Sequence, residues 1–377
     1  RDRSVSRGLG DVYKRQHLTI EGNKVVAKLE IPITDSNYSH ITFKKEYIEE
    51  ENIIECDNAN AYFNLGITPF YKVIDNDNLN NYCIMLGDTT KHVSLNFYNF
   101  GSIDTSIQTT PEAERTNISR YYHIGTFDYI QLSFGQDKAL IIPKMKPIEA
   151  QKANKEYLFC VDFGTTNTHI AYSTDQGATS KTFTITEQDG QVVYLNNLNL
   201  QDGNYGEKYW SAFRSGAFAA SSDREFVPAL IGGKSHISYP FRTAVCETSA
   251  FNNGIPMNLF GNISLGFLMQ RELYQLEGNE YRTDLKWALE NRQGNLTACE
   301  NRVRAYCEQI VWMIKNKVLL NNGKPAFTLV LTFPGTMSKN VKNTYKGFWT
   351  SACKKLLPEV NVQVCEESES VVPYYSF

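Results

Sequence analysis

The sequence is short of the features that define several protein classes. Its eight cysteines (56, 83, 160, 246, 299, 307, 353 and 365) include no CxxC pair, and its six histidines form no ligand spacing with them. A zinc module or a disulfide framework is therefore not expected. Thiols such as Cys160 and Cys307, set among apolar residues, read as reduced core groups of a cytosolic protein. An excess of one charge is lacking too: 38 Lys and Arg stand against 41 Asp and Glu, for a net charge of −3. That balance favours neither nucleic acid nor a membrane surface as a partner. No apolar run approaches the ~20 residues of a membrane helix, and no basic-then-apolar signal peptide is visible. What is present, at 377 residues with 42% hydrophobic and 12% aromatic side chains, is enough for real cores in two or three domains.

Residues 1–16 are basic and lack apolar periodicity, and Asp11–Gln16 reads as the in-frame translation of a transposon end used in sequencing-library preparation. The segment is set aside as a non-native leader. From His17 to about Met145, short alternating or apolar runs predict strands: Lys24–Ile33, His40–Tyr47, Ala61–Ile67, Tyr82–Leu86, His92–Phe97, Tyr129–Phe134 and Ala139–Ile142. Polar turn signals separate them, which predicts a β-rich, sandwich-like accessory domain over 17–148. His40, His92 and His123 are isolated and read as structural. The Tyr and Phe side chains suit either a sandwich core or a binding face. Pro143, Pro147 and the polar run Glu149–Glu156 read as a linker.

At Tyr157 the character changes. Tyr157–Tyr172 reads as an apolar strand, a polar turn and a second apolar strand. The turn holds Asp162, Gly164, Thr165, Thr166 and Asn167. Gly164 allows close backbone approach to a ligand, successive N–H groups can converge on an anion, and Asp162 can orient a cation or its waters. A further strand is expected over Gln191–Leu195, and a less regular insertion over about 196–295. Between Leu296 and Leu320 the positions Val303, Cys307, Ile310, Val311, Ile314 and Val318 form one helical stripe, with Arg304, Glu308 and Lys315 off it. Asn322-Gly323 ends that helix. A strand follows at Phe327–Phe333, then a helix capped by Ser338 and ended by Pro358, then a strand at Val360–Cys365 running into the acidic Glu366-Glu367-Ser368-Glu369. Helix, strand, helix, strand, acidic turn is an α/β layer.

At these residues the chain resembles the Hsp70/actin/sugar-kinase superfamily of ATPases. Asp162-Phe-Gly-Thr-Thr-Asn167 resembles the first phosphate motif, in the Thr-Thr-Asn form closest to Hsp70 chaperones. Phe327–Met337, the helix after Ser338 and the strand into Glu367-Ser-Glu-Ser370 resemble the segment that follows in an Hsp70. The resemblance covers about 156–377, with about 196–277 loosely matched. It implies that 153–377 is the N-terminal, ribonuclease-H-like lobe of an actin-like ATPase domain, with an inserted smaller subdomain. The chain lacks an initiator methionine and stops just after Val371–Tyr375, so it reads as a piece of a longer frame, expected to be inactive alone.

By resemblance, ATP and Mg are the cofactors. Backbone N–H groups of Gly164, Thr165 and Thr166, with Asn167 beside them, would bind phosphate oxygens. Asp162 would hold Mg through water, and Glu367 would help position the attacking water or the metal shell. The bland alternatives are a turn carboxylate at Asp162 and a solvated acidic turn at Glu367. Pro334 matches a proline of the family's coupling region, or simply ends a strand. The family's small-lobe lysine has no clear match around Leu259–Asn262, and Lys234 is a substitute only by proximity to Gly232-Gly233. The functions implied are an Hsp70-like chaperone or switch, a sugar or acetate kinase, or an actin-like or non-hydrolysing scaffold. Expected partners are nucleotide and a protein client or partner.

Overall fold

The computed structural model describes residues 15–21, 24–32, 40–48, 63–88, 93–100, 113–114, 119–135, 137–196, 226–233, 237, 239–248, 257–267, 279–291 and 295–368. The first three strands, β1 (Arg15–Glu21), β2 (Lys24–Pro32) and β3 (His40–Ile48), form an antiparallel sheet in that order. Arg15 and Gln16, part of the segment set aside as foreign, pair with Glu30 and Leu29.

The next strands are β4 (Phe63–Thr68), β5 (Tyr71–Val73), β6 (Tyr82–Asp88), β7 (Val93–Tyr98), β8 (Ala113–Glu114), β9 (Ser119–Ile124), β10 (Tyr129–Phe134), β11 (Asp137–Ile141) and β12 (Lys146–Ile148). Strands β7, β10 and β11 make one antiparallel sheet, in the order β11-β10-β7. Strands β4, β6, β9 and β8 make most of another. Alternation places Leu65, Ile67, Tyr82, Ile84, Leu86, Tyr122 and Ile124 of the second against Leu95, Phe97, Ile130 and Leu132 of the first, in one buried cluster.

The other face of the larger sheet is buried as well. Cys83, Met85 and Tyr121 belong to the core that continues into the α/β part of the chain. That part begins with β13 (Leu158–Phe163), β14 (Asn167–Ser173), β15 (Lys181–Thr182) and β16 (Val193–Asn196). Strand β16 joins the N-terminal sheet, pairing antiparallel with β4 from Val193–Ile67 to Asn196–Asn64. The segment expected as a linker is packed. Lys146–Ile148 pairs parallel with β5, and Asp75 accepts from the Ala150 and Gln151 N–H groups at 2.9 and 2.8 Å. Tyr71 donates to Asn316 Oδ1 (3.0 Å) and Lys146 to the Leu320 carbonyl (3.0 Å). The boundary drawn near 148–153 is thus crossed by a strand pairing and by buried side chains.

The remaining elements are β17 (Phe241–Arg242), β18 (Val245–Thr248), β19 (Ile263–Leu265), β20 (Asn279–Arg282), α1 (Ala288–Asn291), α2 (Leu296–Leu320), β21 (Thr328–Phe333), α3 (Lys339–Leu356) and β22 (Asn361–Glu366). The sheet that matters for the site runs β15-β14-β13-β21-β22, with β17 also on β14. The hairpin pair is antiparallel, whereas β13, β21 and β22 are parallel. Parallel pairing needs crossovers, and α2 and α3 supply them. Phe163 packs on both Tyr306 of α2 and Tyr345 of α3, so both helices cover the same sheet face.

Helix α2 is the centre of the molecule. Asn295 caps it, accepting from the Ala298 N–H, and Asn322 at φ 60° turns it off. The Gly323 N–H closes on the Val318 carbonyl at 2.8 Å. A Cβ at Gly323 would lie 2.6 Å from both Tyr157 and Val318, so the close approach needs glycine. From Tyr306 to Leu320 every residue is buried. Glu308 and Lys315, which lie off the apolar stripe, are therefore inside as well, because elements pack on more than one side of the helix. Its buried amides have partners: Gln309 Oε1 accepts from the Leu265 N–H (2.6 Å), and Asn316 takes the Tyr71 hydroxyl.

Candidate functional site

The hairpin expected to hold an anion connects β13 to β14 through Gly164, Thr165 and Thr166. Phe159, Val161 and Phe163 point into the core, which leaves Asp162 exposed on the opposite face. A Cβ on Gly164 would fall 2.2 Å from the Asn167 carbonyl oxygen, so no other residue fits this turn as it stands. The Gly164 N–H, expected to face a ligand, donates instead to the Asp162 carbonyl at 3.0 Å. Thr165, Thr166 and Asn167 are exposed.

A buried chain of hydroxyls holds the turn from behind. The Tyr306 hydroxyl donates to Thr168 Oγ1 (2.5 Å), Thr168 and Thr243 share a hydrogen bond (2.9 Å), and Thr243 Oγ1 donates to the Gly164 carbonyl (2.7 Å). The Thr243 N–H also donates to the Thr166 carbonyl at 2.9 Å. Thr168, Thr243 and Tyr306 are almost fully excluded from solvent, and burial raises the Tyr306 hydroxyl far above the usual phenol range. It therefore stays a protonated donor.

The parallel register brings the ends of three strands together. Asp162 pairs with Thr332, and Thr332 with Cys365. Thr332 Oγ1 donates to Asp162 Oδ1 at 3.3 Å. Beyond Cys365, Glu366 is held by Lys342 of α3 (2.8 Å) and Glu367 by Lys286 (2.8 Å). Lys286 has only 5% of its side chain exposed, against 39% for Glu367. Its neighbour Trp287 donates from Nε1 to Thr165 Oγ1 at 3.0 Å. One dipeptide thus reaches both the hairpin and the acidic turn. The carbonyl just before it, on Leu285, accepts the Tyr345 hydroxyl at 2.6 Å, which ties the segment to α3.

Asp162 also acts on its surroundings. Burial, then the Asp162 carboxylate and Cys365, raise the Cys160 thiol, so it is no thiolate nucleophile at neutral pH. Tyr239, hydrogen bonded to the Ile170 carbonyl, is pushed up to about 12 by burial with a contribution from Asp162. Beside the hairpin lies a cleft of about 290 Å³ lined by Thr165, Thr166, Arg242, Thr283 and Asp284.

Asp162, the turn residues and Glu367 are therefore linked through one edge of the sheet, while Glu369 and Lys234 lie outside the described residues. The Leu259–Asn262 stretch is a buried turn whose Leu259 carbonyl bonds His123 Nε2 at 2.7 Å. It offers no lysine. Sequence reasoning missed Lys286 and Trp287, although a cation inside Leu285-Lys-Trp-Ala-Leu289 was a visible signal. Thr243 and Tyr306 gave none, because their roles depend on long-range packing. Among the described residues no group of three or more His, Cys, Asp or Glu could hold a metal, and no helix is long and apolar enough to cross a membrane. No family model, no curated protein and no solved structure matches the chain.

Proposed function

We propose that the chain is an Hsp70-like ATP-binding and ATP-hydrolysing protein of chaperone or switch type. The observation that carries this reading is the glycine-requiring hairpin at the carboxyl ends of parallel strands, with exposed Asp162 beside it and Glu367 on Lys286 across the same edge. In open α/β sheets, ligands bind outside those strand ends. The turn fits a phosphate group through the backbone and hydroxyls of Thr165 and Thr166, with Asn167 flanking them. Mg²⁺ is bound by one or two carboxylates plus substrate phosphates and retained waters, so Asp162 alone fits as its protein contact. When bound, Mg²⁺ neutralises charge on the phosphate oxygens. Asp162 would orient the metal's waters, Glu367 would help hold an attacking water or the metal's shell, and Lys286 fixes Glu367. On this reading 153–377 is an actin-like, ribonuclease-H-like lobe with an insertion within about 196–295. A protein client or partner is expected, through the region 17–148 or elsewhere in the protein, and the protein works in the cytoplasm.

Phosphate release from MgATP by the full-length protein and by its Asp162→Asn variant tests this. Turnover above background in the parent and its loss in the variant are expected, and equal rates sink the assignment. A second reading, a nucleotide-binding scaffold that does not hydrolyse, draws support from the internal partners of Gly164, Thr165 and Glu367. MgATP binding without turnover would select it.

A further inference from the structure

Arg242 lies opposite Asn167 in the β14–β17 pairing and is exposed. Among the described residues its side chain makes no hydrogen bond or ion pair. Exposed arginines are common, and three observations separate this one from a merely solvated side chain. It lines the 290 Å³ cleft together with Thr165 and Thr166, the two exposed residues of the hairpin turn. Its backbone is anchored: the next residue, Thr243, binds the Gly164 and Thr166 carbonyls and belongs to the buried hydroxyl chain that ends at Tyr306. And Lys286, the buried cation nearby, is already paired with Glu367.

The geometry points to Arg242 as the cationic contact for the terminal phosphate of a polyphosphate ligand entering this cleft. This rests on the reading of the hairpin as a phosphate site, and adds a residue that the sequence resemblance did not supply. A guanidinium presents a fork of donors that matches two phosphate oxygens, and the threonine hydroxyls complete the donor set on the same wall. Asp284 also lines the cleft, and its carboxylate disfavours any anion there, so the donors of Arg242, Thr165 and Thr166 have to outweigh it.

Calorimetric titration of the full chain at low ionic strength, with inorganic tripolyphosphate and separately with MgATP up to millimolar concentration, tests this. The parent, Arg242→Gln and Arg242→Lys are compared. Because Arg242 is exposed, all three should share one melting temperature. Tripolyphosphate should bind the parent, and Arg242→Gln should weaken it about tenfold, the scale of one charge-assisted hydrogen bond. Arg242→Lys should recover part of the loss, since charge returns without the fork. Unchanged affinity in Arg242→Gln, or no tripolyphosphate binding to the parent, overturns the proposal. MgATP binding that ignores Arg242→Gln removes Arg242 and keeps the nucleotide reading. Arg242-dependent tripolyphosphate binding without MgATP binding supports Arg242 and removes nucleotide.

Discussion

At the scale of single residues, Gly164 is the most constrained position of the site. A Cβ 2.2 Å from a carbonyl oxygen cannot be absorbed by a rotating side chain, because the obstacle is backbone. Gly164→Ala should therefore cost roughly 1–3 kcal/mol, the usual range for overpacking, and should also abolish tripolyphosphate binding. Urea denaturation alongside the calorimetry checks both, and a parental midpoint would mean the turn is built differently. The sequence made this glycine legible, since a tight polar turn between apolar strands asks for one. It did not make Lys286 legible as the partner of Glu367, because that pair depends on where the 279–291 segment crosses the strand ends.

At the scale of elements, α2 shows how far periodicity reaches. Its bounds were readable from the stripe and the Asn322-Gly323 stop, and the Asn295 cap emerges only in the structure. Its burial was not. A stripe reports one packing partner, whereas α2 is enclosed by the main sheet, by β18 and β19, and by Tyr71 of the N-terminal sheets. Lys315 carries the cost of this enclosure: it is about 1% exposed, and burial lowers its ammonium to about 7. The unfolded side chain titrates near ~10.4, so between about 7 and ~10 the unfolded chain binds more protons and stability rises with pH. Lys315→Met should therefore stabilise the protein at pH 7, with a gain that shrinks towards pH 10. Chemical denaturation at pH 7.0 and 9.5 measures this, and an equal gain at both would contradict burial as the cause of the shift.

At the scale of the whole molecule, the strands of 17–148 were largely visible as alternating runs, but their sheet membership was not. Nothing in Val193–Asn196 itself states that it pairs with Phe63–Thr68. Likewise Glu149–Glu156 is polar enough to pass for a linker, and its bonds to Asp75 and to Asn322 and Lys324, all far away in sequence, reveal it as packed. Two regions that share a sheet and a core should unfold together. A single thermal transition, coincident by far-UV and near-UV circular dichroism, is the expected outcome, and two separable transitions would show that β16 and the Tyr71–Asn316 bond do not couple the two regions. A piece cut at 153 should bind a hydrophobic dye, because it exposes the surface that Cys83, Met85 and Tyr121 cover.

The β16–β4 pairing also fixes an order of events during synthesis. Strand β4 leaves the ribosome long before its neighbour Val193–Asn196 exists. Until then the nascent sheet has an open edge and a bare apolar face, the two features that recruit wrong partners. The N-terminal half is thus committed to waiting for the hairpin at Asp162 to be made before it can close.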